Sequence, residues 1–183
     1  MTRRSFLTLA CSAALLSACG FQLRGQQDYA FKRLAISGAS AAVAARLTRM
    51  VQGGSDTVIV TSPANADAIL SVSEGRGSAV LTLNSLGVVE EYALNYSLNY
   101  TLRGADGALL IPPSSIALNR AMTYSDQFSQ AKAAESEILY ADMQNDAVDQ
   151  LMRRLAVVHS LHPAPGQEVP GIAPRAPLPP PPL

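Results

Sequence analysis

Few side chains in this sequence could do chemistry. Two histidines, His159 and His162, stand three residues apart, Glu90 and Glu91 are adjacent, Gly75-Arg76-Gly77 sets a cation between glycines, and Cys11 and Cys19 lie near the N-terminus. A histidine pair can ligate a metal or move a proton, but a zinc site needs three or four ligands, and no others stand beside these two. At the frayed end of a helix they are better placed to meet the negative pole of its dipole. Adjacent carboxylates in a strand point to opposite faces and cannot share acid and base work on one substrate. Gly75-Arg76-Gly77 is too short for a phosphate-cradling loop and begins no helix. These residues supply no catalytic constellation, metal site or cofactor site, so the expectation is a protein that is not an enzyme.

Cys19 differs, because its chemistry is set by what precedes it. Arg3 and Arg4 form a positive n-region, residues 6–16 an apolar stretch, and Leu16-Ser17-Ala18 puts small residues before the cysteine. The apolar run falls short of the ~20 residues a membrane-spanning helix needs, so residues 1–18 are expected to be a removable signal peptide. Leu16-Ser17-Ala18-Cys19 resembles the bacterial lipobox, in which the cysteine thiol is lipidated and becomes the mature N-terminus. Covalent lipid on Cys19 is then the only added group expected. At about 0.8 kcal/mol per buried methylene, several acyl chains hold a domain on a membrane permanently. Gly20 stands where an aspartate would resemble an inner-membrane retention signal, which favours the outer membrane. Thr2-Arg3-Arg4-Ser5-Phe6-Leu7 suits the twin-arginine route as well as the general one; with no sign of a cytoplasmically loaded cofactor, the general route is favoured.

Behind the signal, residues 19–30 form a lipidated segment, 31–160 one modest domain, and 161–183 a proline-rich tail. The chain carries 14 basic and 14 acidic residues, and the signal takes Arg3 and Arg4 but no acid, leaving two more acids than bases. That balance argues against a nucleic-acid partner. With Cys11 in the signal and Cys19 committed to lipid, the core has no thiol for a disulfide, a zinc site or a nucleophile.

The elements that must position any site follow from periodicity. Residues 31–36 read as a strand, Val43, Leu47, Met50 and Val51 recur at helical spacing up to Gly53-Gly54, and the β-branched run 56–61 reads as a second strand. This order predicts a right-handed crossover between parallel strands. Three longer β segments follow, at 68–83, 88–103 and 109–124. In the middle one Tyr92, Leu94, Tyr96, Leu98, Tyr100 and Leu102 alternate with Ala93, Asn95, Ser97, Asn99, Thr101 and Arg103, giving one apolar and one polar face. Turn sequences at Asn84-Ser85-Leu86-Gly87 and Gly104-Ala105-Asp106-Gly107 predict an antiparallel meander. Gly75 and Gly77 predict a bulge in the first segment, and Pro112-Pro113 assigns the third to an edge.

A long helix is expected over about residues 130–158. Leu139, Met143, Ala147, Leu151 and Leu155, widened by Ile138, Val148 and Met152, form a stripe that covers the sheet, with Asp149 and Arg153 four apart on the other side. The tail closes in Leu178-Pro179-Pro180-Pro181-Pro182-Leu183, cannot build a core, and is expected to be extended and solvated; a proline-recognising partner is the alternative.

Cys19-Gly20-Phe21-Gln22-Leu23-Arg24-Gly25, Glu91-Tyr92, and Asp146-Ala147-Val148-Asp149-Gln150-Leu151-Met152-Arg153-Arg154-Leu155 together resemble the LptE family of lipopolysaccharide-assembly lipoproteins. The resemblance runs from Cys19 to about Val158. It implies an α/β (α+β) fold, a two-layer sandwich with two helices packed on one face of a mixed, mainly antiparallel sheet. It also implies a cell outer membrane lipoprotein, lipid-anchored on the periplasmic side. Such a protein sits as a plug in the LptD barrel, assists that barrel's folding, and helps deliver lipopolysaccharide to the outer leaflet. The implied partners are an LptD-type outer-membrane β-barrel, lipopolysaccharide, and the membrane itself.

The polar face of Asn95, Ser97, Asn99, Thr101 and Arg103 suits a polar barrel interior, and equally an ordinary solvated face. Arg76, Arg103 and Arg120 are candidate lipopolysaccharide contacts, because guanidinium groups form charge-assisted bonds with phosphate. Each is more often an ordinary surface arginine, and the turn at Asn84-Ser85 has no basic residue. Alternative functions keep the anchor: an accessory lipoprotein of a phospholipid transport system, or an activator of a cell-wall synthase. A lipid or peptidoglycan hydrolase ranks third and would depend on His159 and His162.

Overall fold

The longest alternating run of the sequence lies between two strands of nearly its own length. The computed structural model describes residues 27–163 and 169–171; the signal, Cys19 and most of the tail lie outside the described residues. In chain order the elements are β1 (Arg33–Ser37), α1 (Ala41–Gly54), β2 (Val58–Val60), β3 (Ala68–Leu83), β4 (Val89–Gly104), β5 (Leu109–Thr123) and α2 (Ser129–Leu155). The strands form one sheet in the order β2-β1-β3-β4-β5. β1 runs parallel to β2, with Arg33 opposite Val58, and parallel to β3, with Leu34 opposite Ala68. β3, β4 and β5 are the predicted antiparallel meander.

Alternation explains the layering. Leu94, Tyr96, Leu98, Tyr100 and Leu102 of β4 are buried with Leu70 and Val72 of β3 under Val43, Leu47 and Val51 of α1 and Met143, Ala147, Leu151 and Leu155 of α2. Each fully buried aliphatic side chain contributes about 1.5–3 kcal/mol, so this face carries most of the stability. Between β1 and α1 the chain turns through Gly38, at φ +76°, where any Cβ would collide with the Val72 carbonyl oxygen. Ser40 then caps α1, its hydroxyl accepting from the Val43 amide at 3.4 Å.

Three expectations are corrected. Gly75 and Gly77 pair in regular register with Ser97 and Asn95, and the irregularity falls instead between Val80 and Leu83. Glycine at 75 serves close approach, since a Cβ there would lie 2.6 Å from the Ser97 hydroxyl. Ile138 is 63% exposed. The buried set of α2 is Tyr140, Met143, Gln144, Ala147, Val148, Leu151, Met152 and Leu155, which keeps strict three-and-four spacing, and Ile138 falls off that arc. In the tail, Val169 is buried in the core and Gly171 packs beside Pro112 and Ser114. At this point the tail is docked rather than solvated, because Val169 is the apolar side chain that its prolines cannot replace. Pro112 and Pro113 do lie on an edge strand, where the β4–β5 register shifts opposite them.

Candidate functional site

The face of the sheet away from the helices is built mostly from short, neutral side chains. On β4 Asn95, Asn99 and Arg103 are exposed and Ser97 and Thr101 half-buried. Ser71, Ser73, Gly75 and Gly77 of β3 stand opposite Thr101, Asn99, Ser97 and Asn95. On the other side Ser115, Ala117 and Asn119 of β5 oppose Asn99, Ser97 and Asn95. A shallow depression of about 380 Å³ opens among Ser71, Ser73, Asn99, Thr101, Pro113 and Ser115. Side chains this short present hydrogen-bonding groups to a partner without the desolvation cost that a charge carries.

The three predicted arginines are not brought together. Arg76 lies opposite the buried Tyr96 and so faces the helices, where it pairs with Glu137 at 3.3 Å and covers the Tyr140 ring at 5.3 Å. Arg120, opposite Leu94, is on the same side and pairs with Asp146 at 2.9 Å. Arg103 is on the open face, and among the described residues no ion pair holds it. Part-exposed pairs such as those of Arg76 and Arg120 contribute about 0–1 kcal/mol, so they position the guanidinium groups without locking them.

Sequence reasoning missed Glu74. Its carboxylate accepts from the Tyr96 hydroxyl at 2.8 Å, the Gln144 amide at 2.8 Å and the Ser40 backbone N–H at 2.9 Å, tying β3 to β4, α2 and the start of α1. Burial pushes this carboxyl up, but the hydrogen bonds from Ser40, Gln144 and Tyr96 outweigh it and hold Glu74 below the ordinary glutamate value. Tyr96 is pushed well above the usual phenol range by burial and by its bond to Glu74. The available signal was a charge on the same strand face as Leu70 and Val72. Asp67 was missed too; it accepts from the backbone N–H groups of Lys32 and Arg33 and from the Arg33 guanidinium at 2.6 Å.

The histidines do not cap a helix. α2 ends at Leu155, His159 is exposed, and the His162 ring lies 3.3 Å from the Asp106 carboxylate in the β4–β5 turn. Among the described residues no three His, Cys, Asp or Glu side chains are grouped to hold a metal, and no helix is long and apolar enough to cross a membrane. The β3–β4 hairpin ends in the exposed side chains of Val80, Leu81, Leu83, Leu86 and Val88. Its turn amides are satisfied internally, the Asn84 side chain accepting from Leu86 and Val88.

Comparison with known proteins agrees with this architecture. The family described as LptE, Lipopolysaccharide-assembly, matches residues 31–155. An LPS-assembly lipoprotein LptE from Yersinia enterocolitica is 27% identical, over 87% of this chain and 79% of the relative. One of the same name from Photorhabdus laumondii is 24% identical, over 86% and 89%. Among solved structures, lipoprotein B of Nitrosomonas europaea superposes with a TM-score of 0.64 at 33% identity, covering 75% of this chain and 91% of the other. Its sheet, its two helices and its sequence thus place the chain in a known group: it belongs to the LptE family of lipopolysaccharide-assembly proteins.

Proposed function

We propose that this protein is an outer-membrane lipoprotein, anchored through lipid on Cys19, that sits as a plug within an LptD-type β-barrel. There it assists folding of the barrel and delivery of lipopolysaccharide to the outer leaflet, acting by binding alone. The observation that carries this reading is the open sheet face, with Asn95, Ser97, Asn99 and Thr101 set among the serines of β3 and β5. A barrel of this class has a polar interior, and a neutral, short-chained face can meet it with hydrogen bonds while burying little charge. Arg76 and Arg120 on the helix side and Arg103 on the open side then serve as two separate basic contacts for lipopolysaccharide phosphates.

The test is a mild-detergent pull-down of the full-length lipoprotein from its own outer membrane, followed by mass spectrometry. A stoichiometric large β-barrel is the expected product. An inner-membrane transporter or a cell-wall synthase in its place would leave the lipoprotein assignment standing and overturn the plug.

A further inference from the structure

A cleft between the two helices gathers more basic than acidic side chains. Arg46 and Arg49 lie three apart on α1, and Asp149 and Arg153 four apart on α2; with Met50 these residues line a cleft of about 330 Å³. Through Arg49, Met50 and Arg153 it is continuous with a second cleft of about 770 Å³, whose walls include Tyr29, Met152 and Ala156. Three arginines and one carboxylate therefore line the same cleft. Asp149 is engaged by Arg46 Nη2 at 2.8 Å. Among the described residues no ion pair holds Arg49 or Arg153. Arg46 Nε is buried and has no hydrogen-bond partner among those residues.

This arrangement costs the free protein twice. Like charges crowded on neighbouring helices repel, and a buried N–H of a charged group left without an acceptor forfeits its hydration. A dianion held by several guanidinium forks removes the repulsion, and arginine is the residue best shaped for phosphate oxygens. The adjoining space is of small-ligand size and offers the apolar side chains of Met50, Met152 and Tyr29 beside the cations. We infer that this cleft binds a phosphate-bearing amphiphile, with the phosphate among Arg46, Arg49 and Arg153 and the apolar part along Met50, Met152 and Tyr29. The inference rests on the lipopolysaccharide-assembly reading for the source of such a ligand, and on the cleft alone for its position.

The experiment titrates the full-length lipoprotein, in non-ionic detergent, with mixed micelles of diphosphorylated lipid A. Parallel arms use the same lipid stripped of phosphate, and inorganic phosphate alone. Arg49 and Arg153 are exposed, so the double variant Arg49→Gln/Arg153→Gln is expected to melt like the parent. Lys32→Gln/Lys132→Gln removes the same charge elsewhere. The expected result is at least about a tenfold loss of lipid A affinity in the arginine variant, no loss in the lysine variant, and a similar loss on removing the phosphates. Undiminished binding by the arginine variant, or equal loss in the lysine variant, would overturn the site. Inorganic phosphate binding as tightly as the lipid would overturn the amphiphile and leave a small-anion site. The barrel pull-down with the arginine variant is expected to succeed. Failure of the parent to capture a barrel would count against the plug, while the titration of the isolated lipoprotein would still decide the cleft.

Discussion

Neighbouring residues of β4 live in opposite worlds. Leu98 is fully buried beneath the helices, while Asn99, one residue on, is exposed between Ser73 and Ser115. The covered face is apolar at its centre, tightly packed and tied across by the Glu74 carboxylate; the open face carries mostly short, uncharged polar side chains, with Arg103 among them. Stability and recognition thus fall to alternate residues of the same strand. Changes on one face should disturb folding with little effect on contacts, and changes on the other the reverse.

Truncating one side chain on each face should separate the two roles. Leu98→Ala should cost about 2–5 kcal/mol through lost burial and a residual cavity. Asn99→Ala should stay within about 0.5 kcal/mol of the parent. Urea melts of the two variants decide this; equal costs would mean that the open face is load-sharing. Next in size is Glu74→Ala. It leaves the Tyr96 hydroxyl and the Gln144 amide without their acceptor, and a loss of about 1–3 kcal/mol is expected in the same assay.

The pH dependence sharpens the role of that hub. Glu74 is held below its ordinary value in the folded protein, so its contribution is fully present above about pH 4.3, the unfolded glutamate range. It is lost as pH falls through the lower folded-state value. Asp67, held low first by its bond with Arg33, behaves in the same sense, with a smaller contribution because its partner Arg33 is exposed and solvent screens the pair. Thermal melts between pH 7 and pH 3 should therefore fall on the acid side, and Glu74→Gln should flatten part of that fall. A profile unchanged by Glu74→Gln would remove Glu74 as the titrating hub. The smallest effect on stability should come from Asn95→Arg/Asn99→Arg, whose melting should match the parent. The same variant should lose capture of a barrel partner in the pull-down, because two long charged side chains would have to be desolvated where short neutral ones stand. Retained capture would place the contact on another face.

Much of this architecture is local in origin, and so it was readable along the chain. The alternation of β4, the prolines of β5 and the stripe of α2 depend on periods of two and 3.6 residues, which a short window of sequence reveals. The same is true of the crossover through α1. Local pattern failed where two periods competed, as at Ile138, and where glycine served proximity to Ser97 instead of a bulge.

What the sequence determined by itself is the set of elements, the faces they show and the family resemblance. Tertiary structure alone decided the insertion of β1 between β2 and β3, the separation of Arg103 from Arg76 and Arg120, the Glu74 hub and the arginine cleft. Glu74 and Gln144 are 70 residues apart, and Arg46 and Asp149 are 103 apart. Contacts at such separations are set by strand register and helix packing, and one residue of slip in β3 would turn Glu74 to the opposite face.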